Sequence, residues 1–261
     1  MKIIIFLTYS LILTSAQAQV NKKGLINYGH KQSMGMGAPI GVDYNSMLVF
    51  DNIQSTYFFA KDSLEGGSIR TSVIIKNEDR TIVVPKNTSK IGFIYNLNTS
   101  KDSLKSRDIG FKYVKEKIPK INWTISNKFK SIGGYKCQKA EGNFRGRNYT
   151  TWFAIEIPLP FGPWKLNGLP GLILEAYDTK KEVYFYFKSI KYPNYDIKNI
   201  IIPKPDIENK KWIPLAEYEN FLISSYNRAI QNSRMVIEQA GIYSQEDKRK
   251  MKDSYIEDFE N

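Results

Sequence analysis

Pro158-Leu-Pro-Phe-Gly-Pro-Trp-Lys-Leu-Asn-Gly-Leu-Pro-Gly-Leu-Ile-Leu-Glu175 is the segment from which the predicted fold follows most directly. It places four of the eleven prolines of the chain within thirteen residues, and an apolar run follows directly. Leu169 is confined to an extended conformation because a proline follows it. Pro170 and Gly171 suit the two central positions of a type II turn, the second of which requires a positive φ. The stretch therefore predicts a rigid turn that leads into a β-strand at Leu172.

The residues after this turn alternate in character, as residues in two antiparallel strands do. Apolar side chains take every second position along 172–178 and again along 183–190, and Asp178-Thr-Lys-Lys181 supplies the turn between them. The opposite face of the hairpin is rich in tyrosine. We expect that face to line a cavity or to receive a helix, which makes Tyr184 and Tyr186 candidate ligand-binding residues.

Short β-rich runs continue through most of the chain, separated by Gly, Asn, Asp and Lys. Many strands without helical patterns between them indicate an antiparallel meander rather than βαβ units. The predicted strands are 47–51, 56–60, 71–76, 80–84, 92–96, 111–116, 122–126, 135–141, 148–157, 172–178 and 183–190. A helix is predicted over 214–241, with Pro214 in its first turn and Gly241 as its stop. The expected fold is mainly β, a curved antiparallel meander sheet or half-barrel with a long C-terminal helix packed on it.

The N-terminus has the pattern of a secretory signal peptide. Met1-Lys2 is followed by an apolar run and then by small residues that end at Ala18. The run is shorter than the roughly 20 residues that a membrane span needs. We therefore expect residues 1–18 to be removed by cleavage near Ala18-Gln19, and the mature protein, without a transmembrane segment, to be periplasmic or secreted. Residues 19–243 are expected to form a single domain that includes the helix, and 244–261 a charged, loosely attached tail.

The chain is basic, with 38 Lys and Arg against 26 Asp and Glu. The excess is concentrated in 101–130, where nine basic residues face three acidic ones. A solvated surface is the simplest interpretation, because the aromatic residues there are not spaced as a stacking platform for nucleic acid. If the charge serves a partner, an envelope surface rich in phosphate is the expected one.

Two aromatic side chains precede the predicted turn on the same loop. Phe161 and Trp164 either pack as a small core of the loop or stand at the mouth of a cavity. The second arrangement would make them ligand-binding residues.

Few residues are equipped for catalysis or metal binding. His30 is the single histidine, which argues against hydrolase triads and most zinc sites. It lies in a predicted loop with Met34 and Met36, and imidazole with two thioethers forms a candidate copper(I) site. Cys137 is the single cysteine, so no disulfide can form within one chain, and it is expected to be a small buried apolar residue.

Paired carboxylates remain as an enzymatic alternative. Glu156, Glu175 and Asp178 lie on or beside neighbouring predicted strands. A hydrolase of this type needs two carboxylates that share a cleft within about 10 Å. No single residue is assigned a catalytic role, and no cofactor is expected.

Gly168, Leu169, Pro170, Gly171, Leu172 and Ile173 spell the hexapeptide after which the bacterial GLPGLI family is named. The resemblance extends to further ordered blocks, with a weaker match at 24–28. These blocks are Asn122-Trp-Thr-Ile125, Ile132-Gly-Gly-Tyr-Lys-Cys-Gln-Lys-Ala140, Phe144-Arg-Gly-Arg147, the Trp152-Phe-Ala strand that ends in Glu156-Ile-Pro158, and Gly162-Pro-Trp-Lys-Leu166. The resemblance implies an exported protein of Bacteroidetes-type bacteria. It implies no catalytic residue.

The sequence thus favours an exported, non-enzymatic binding or accessory protein of the bacterial cell envelope. The expected partner is an outer-membrane or other envelope component, or an apolar ligand. Three alternatives stay open: a carrier that holds an apolar ligand between sheet and helix, a carboxylate-dependent hydrolase, and a copper(I)-binding protein.

Overall fold

A computed structural model describes residues 23–35, 41–66, 72–77, 80–193, 196, 211–239 and 250–259. The predicted signal peptide (1–18), Met36, Gly241 and residues 244–249 and 260–261 of the predicted tail lie outside the described residues.

Strands dominate the described part of the chain. They are β1 (Gly24–Gln32), β2 (Val42–Phe50), β3 (Gln54–Phe59), β4 (Ser72–Asn77), β5 (Arg80–Pro85), β6 (Phe93–Asn98), β7 (Ser103–Arg107), β8 (Tyr113–Glu116), β9 (Thr124–Ile132), β10 (Tyr135–Phe144), β11 (Arg147–Ala154), β12 (Leu172–Asp178), β13 (Val183–Lys191) and β14 (Trp212–Pro214). One helix, α1, spans Leu215–Gln239.

Twelve of these strands form one open, curved sheet in the order β14-β8-β7-β6-β3-β2-β1-β13-β12-β11-β10-β9, and β4 and β5 form a separate hairpin. Two antiparallel meanders, β1 to β8 and β9 to β13, are joined where β1 pairs with β13. β14 adds a parallel strand beside β8. The predicted mainly β fold with a curved meander sheet and a long C-terminal helix is confirmed.

Strand β1, which joins the two meanders, is missing from the strands predicted. His30 was expected in a loop, and that expectation is wrong, because Gly24–Gln32 pairs with β2 on one side and β13 on the other. Gly29 tolerates this central position because the ring of Tyr186 lies over it. A Cβ at Gly29 would stand 2.0 Å from Tyr186 Cζ. The glycine weakens the sequence pattern of a strand, but the neighbouring strand covers it.

The loop between β11 and β12, residues 155–171, packs into the core, and we call it the elbow loop. Its backbone bonds back to the sheet, since Leu172 N–H donates to the Ile157 carbonyl at 2.9 Å and Ile173 N–H to that of Phe161 at 2.9 Å. Most of its side chains are buried, namely Ile157, Leu159, Phe161, Trp164, Lys165, Leu166, Asn167 and Leu169. The elbow loop therefore contributes core to the sheet as well as setting the direction of β12.

The glycines of the elbow loop have a different role from the one predicted. The positive φ lies at Gly168, with φ +89°, and Gly171 is outside the left-handed region. Gly171 is instead needed for close approach, because a Cβ there would stand 2.2 Å from the carbonyl oxygen of Ala154. The predicted type II turn centred on Pro170 and Gly171 is wrong in that detail.

This geometry predicts that asparagine is less destabilising than alanine at Gly168 but not at Gly171. Asparagine adopts the left-handed region more readily than alanine, so Gly168→Asn should destabilise less than Gly168→Ala. At Gly171 alanine and asparagine should both lower the free energy of unfolding by about 1–3 kcal/mol, because either Cβ meets the Ala154 carbonyl. Urea unfolding of the four variants measures this. If Gly171→Asn lowers the free energy of unfolding clearly less than Gly171→Ala does, Gly171 has a positive φ and this geometry is wrong.

Helix α1 lies within the predicted 214–241 and packs at the β8–β14 edge of the sheet. Tyr218, Leu222 and Tyr226 form its buried stripe, which contacts Val114 and Ile213. The tyrosine-rich face of β12 and β13, which is expected from the sequence to line a cavity or to receive a helix, does not receive this one. The buried stripe of the helix packs directly on the edge of the sheet.

The C-terminal segment 250–259 is packed rather than loosely attached. Met251 joins the core beneath α1, and Ile256 joins the main core of the sheet. Glu257 is 1% exposed. The high charge of 244–261 predicted a solvated tail, but its apolar residues and Glu257 have buried partners.

Candidate functional site

Five charged side chains meet beneath the elbow loop, and we call them the charge cluster. Lys165 Nζ lies 2.7 Å from Glu257 Oε1, 3.3 Å from Glu116 Oε1 and 3.4 Å from Asp108 Oδ2. Arg145 completes the cluster, with Nη2 at 2.5 Å from Glu116 Oε2 and Nε at 3.3 Å from Glu257 Oε1. The cluster thus holds two cations and three carboxylates in the interior.

Burial and the surplus of carboxylates shift the ionisation of this cluster. Burial, with the nearby charge of Asp108, outweighs the attraction of Lys165 and Arg145 and raises the pKa of Glu257 to about 7. The carboxylates of Glu257, Asp108 and Glu116 outweigh the burial of Lys165 and raise the pKa of its ammonium group. Lys165 is therefore held charged, and Glu257 can exchange a proton near neutrality.

A second buried arginine fixes the C-terminal segment against the β10–β11 turn. Arg147 Nε donates to the Ile256 carbonyl at 3.0 Å, and Nη2 donates to those of Tyr255 at 2.9 Å and Lys252. Its Nη1 also donates to Asp178 Oδ2 at 2.7 Å. The Phe144-Arg-Gly-Arg147 turn therefore supplies both the arginine of the charge cluster and the arginine that holds residues 252–256.

A cleft opens beside the charge cluster. It has a volume of about 870 Å³ and lies between residues 115–120, the turn 143–146, the first turns of α1 and residues 258–259. Glu116 and Arg145 belong both to the wall of the cleft and to the charge cluster. The cleft is therefore the place where the buried charges approach solvent.

One wall of the cleft is formed by lysines. Lys115, Lys117 and Lys120 line it and are exposed. Within the described part of the chain, no carboxylate oxygen lies within 4 Å of any of their Nζ atoms. Apolar side chains such as Ile118, Phe144 and Phe259 line other parts of the cleft. Its walls can therefore contact both an anionic group and an apolar one.

The predicted aromatic ligand-binding residues divide into a buried pair and an exposed pair. Phe161 is 0% and Trp164 3% exposed, so they pack in the core and do not stand at the mouth of a cavity. Tyr184 and Tyr186 remain partly exposed on the outer face of the sheet, with ring centroids 5.4 Å apart. Tyr186 also donates to Asp43 Oδ2 at 2.6 Å. The binding role predicted for Phe161 and Trp164 is wrong, because the elbow loop uses both rings as core.

In the candidate copper site, both ring nitrogens of His30 have polar partners within the protein. His30 is fully buried, with Nδ1 at 3.0 Å from the Tyr57 hydroxyl and Nε2 at 3.0 Å from Gln32 Nε2. Burial lowers the pKa of its imidazole to about 3. Met34 is partly buried against the main core, and Met36 lies outside the described residues. Among the side chains that are described, no three His, Cys, Asp or Glu groups are placed to hold a metal ion.

The carboxylates proposed for hydrolysis each bind a different partner. Glu175 Oε1 lies 2.8 Å from Lys130 Nζ, and Asp178 pairs with Arg147. Glu156 is exposed and accepts from the backbone N–H of Lys136 at 3.2 Å. Each of the three carboxylates is thus already bonded to a basic side chain or to a backbone N–H group.

Cys137 is buried as predicted. Its side chain lies in the main core of the sheet. Burial raises the pKa of the thiol to about 11. It is therefore a weak nucleophile at neutral pH.

Sequence reasoning missed the charge cluster. Only Lys165 gives a signal, as a lysine between Trp164 and Leu166 in an otherwise apolar stretch. Its partners come from distant segments, with 92 positions separating it from Glu257.

Among the described residues, no helix is both long and apolar enough to cross a membrane.

The fold is similar to PNGF-II solved in the C2 and P21 space groups, with TM-scores of 0.46 and 0.48 and sequence identities of 11% and 12%. The alignments cover 74% and 76% of this chain but 31% and 32% of the PNGF-II chains, so the chain spans about a third of their length. No protein-family model and no curated protein matches the sequence.

Proposed function

We propose that the protein is an exported, non-enzymatic binding or accessory protein of the bacterial cell envelope, and that the cleft is its binding surface. The cleft carries this proposal. Its volume of about 870 Å³ lies within the range of small-molecule and cofactor sites, and lysine and apolar side chains line it together. Export is supported by the signal-peptide pattern of residues 1–18 and by the GLPGLI-type hexapeptide at 168–173.

The three alternatives have less support from the geometry. A carrier needs an enclosed hollow beneath the buried face of the helix, whereas Tyr218, Leu222 and Met251 pack together there and the cleft opens at the surface beside them. The hydrolase and copper alternatives need groups that are free to react, but Glu175 is bound by Lys130 and His30 is buried between polar partners.

Cysteine labelling in cells tests whether the cleft is occupied. Asn220 lines the cleft and Asn232 does not, and both are exposed residues of α1, so Asn220→Cys and Asn232→Cys form a matched pair. Cys137 should react slowly with a maleimide because its thiol is buried. In a Bacteroidetes-type bacterium that expresses the full chain, an inner-membrane-impermeant maleimide should label Asn220→Cys about tenfold more slowly than in the purified protein. Asn232→Cys should label equally fast in both.

Each other outcome counts against a stated part of the proposal. Equal labelling of both cysteines in cells would mean that nothing occupies the cleft. If neither cysteine is labelled in intact cells while both are labelled in lysate, the chain stays in the cytoplasm and is not exported.

A further inference from the structure

We propose that the ligand of the cleft carries a phosphate group, bound by Lys115, Lys117 and Lys120 on the wall and by Arg145 on the floor. This inference rests on the proposed function and names the chemical class of the ligand.

Three lysines lie along one wall of the cleft. Lys115 is in β8, Lys117 follows directly after the end of this strand at Glu116, and Lys120 lies three residues further on. All three are exposed, whereas the Glu116 side chain is 5% exposed and bound to Arg145. Three ammonium groups therefore line one concave surface, and the carboxylate between two of them is paired with an arginine.

The wall lysines have no carboxylate partner in the described part of the chain. None of the three has a carboxylate oxygen within 4 Å of its Nζ atom among those residues. Ammonium groups that line one concave surface add their positive potentials there. An anion in the cleft would therefore gain a Coulombic attraction that a neutral ligand lacks.

Arg145 is positioned to take part in the binding. Two edges of its guanidinium are held, by Glu116 at 2.5 Å and by Glu257 at 3.3 Å. Among the residues that the structure describes, its Nη1 has the looser contact with Glu219 Oε1, at 3.7 Å, and the Glu219 side chain is 34% exposed. An incoming oxyanion can displace Glu219 and accept from Nη1 while the other two contacts keep the guanidinium in place.

Phosphate suits this set of donors better than carboxylate does. A phosphate ester offers several acceptor oxygens in different directions, whereas a carboxylate is fully engaged by one arginine fork. Donors on a wall and a floor can therefore bind one phosphate together. The partly exposed apolar residues Ile118 and Phe259 can then contact the rest of the ester. A membrane phospholipid and a soluble phosphate ester share this chemistry.

Two triple variants with the same change in net charge test the inference. The wall variant replaces the three lysines of the cleft wall and combines Lys115→Gln, Lys117→Gln and Lys120→Gln. The remote variant replaces three exposed lysines away from the cleft and combines Lys101→Gln, Lys128→Gln and Lys180→Gln. The probes are glycerol 3-phosphate, measured by calorimetry, and vesicles of phosphatidylglycerol in phosphatidylcholine, measured by co-sedimentation. We expect the wild type to bind one of them, the wall variant to bind it more than about tenfold more weakly, and the remote variant to bind within about threefold of wild type.

The outcomes separate the two sources and the two proposals. Wall-dependent binding of vesicles alone assigns a membrane phospholipid, and wall-dependent binding of glycerol 3-phosphate assigns a soluble ester. Equal loss in both triple variants would reduce the effect to net charge and overturn the inference. Absence of binding to both probes would also overturn it, whereas the proposed function would stand if Asn220→Cys is still protected in cells.

Discussion

Replacement of Lys165 by methionine is expected to lower the free energy of unfolding by about 3–5 kcal/mol. Methionine has a similar length, so the variant removes charge more than volume. Lys165 is fully buried and is within 3.4 Å of Asp108, Glu116 and Glu257. Without the ammonium group, Arg145 would be the only cation of the charge cluster left beside three buried carboxylates.

Urea unfolding at pH 8 measures the effect, with Lys180→Met as the control because Lys180 is an exposed lysine. A Lys165→Met, Glu257→Gln double variant should be more stable than Lys165→Met alone, since it removes a buried negative charge together with the positive one. A loss below about 1 kcal/mol for Lys165→Met, which is typical of an exposed ion pair, would contradict the buried cluster.

The β12–β13 hairpin could be predicted in detail because its information is local. Leu174, Ala176, Val183 and Phe185 alternate with Glu175, Tyr177, Tyr184 and Tyr186, and these four apolar residues are fully buried. The helix could be predicted for the same reason, since its period and its flanking Pro214 are visible in the sequence. The part of the sheet on which the helix packs could not be predicted, because one apolar stripe on a helix does not specify its partner.

Features that depend on distant segments escaped prediction. Strand β1 contains Gly29, whose place in a central strand is possible only because Tyr186, on β13, covers it. Gly171 is predicted from the sequence to supply a positive φ, but its position instead requires a close approach to the carbonyl of Ala154. In both cases the glycine is visible in the sequence, and the atom that requires it is not.

The candidate site was partly foreseen through its charge. The segment 101–130 was identified as basic, and Lys115, Lys117 and Lys120 are its members that line the cleft. Other members are used elsewhere: Lys130, for example, pairs with Glu175. Composition could not make that distinction, because it depends on the partner of each lysine in the fold.

Arg145 connects the stability of the C-terminal segment to the cleft. It binds Glu257 of that segment and Glu116 of β8, and its remaining nitrogen faces Glu219 on α1. Its backbone carbonyl also accepts from Asp258 N–H at 3.1 Å. Ionisation of Glu257 therefore changes the charge on one side of the arginine whose other side borders the proposed ligand.

Stability should fall as the pH rises through the range in which Glu257 ionises in the folded protein. Its pKa is raised from 4.5 to about 7 on folding, so between these values the folded state binds the proton more tightly than the unfolded state. The contribution of the neutral carboxyl is complete below pH 4.5 and lost above about pH 7. It amounts to roughly 3 kcal/mol. Lys165 adds no slope in this range because its raised pKa lies far above it.

The titration of His30 changes the stability with pH in the opposite direction, so its effect must be separated from that of Glu257. Burial lowers its pKa from 6.5 to about 3, so its contribution to stability rises with pH up to about 6.5 and is constant above. The effect of His30 on stability cancels when wild type is compared with Glu257→Gln, because both proteins contain His30.

Urea unfolding from pH 5 to pH 8 measures the effect of Glu257. Wild type and Glu257→Gln should have similar free energies of unfolding at pH 5, and Glu257→Gln should be the more stable at pH 8. The exposed Glu238→Gln serves as the control and should follow wild type throughout. A glutamine variant that is less stable than wild type at pH 8 would mean that the ionised carboxylate stabilises the fold, and that the attraction of Lys165 and Arg145 outweighs the burial of Glu257.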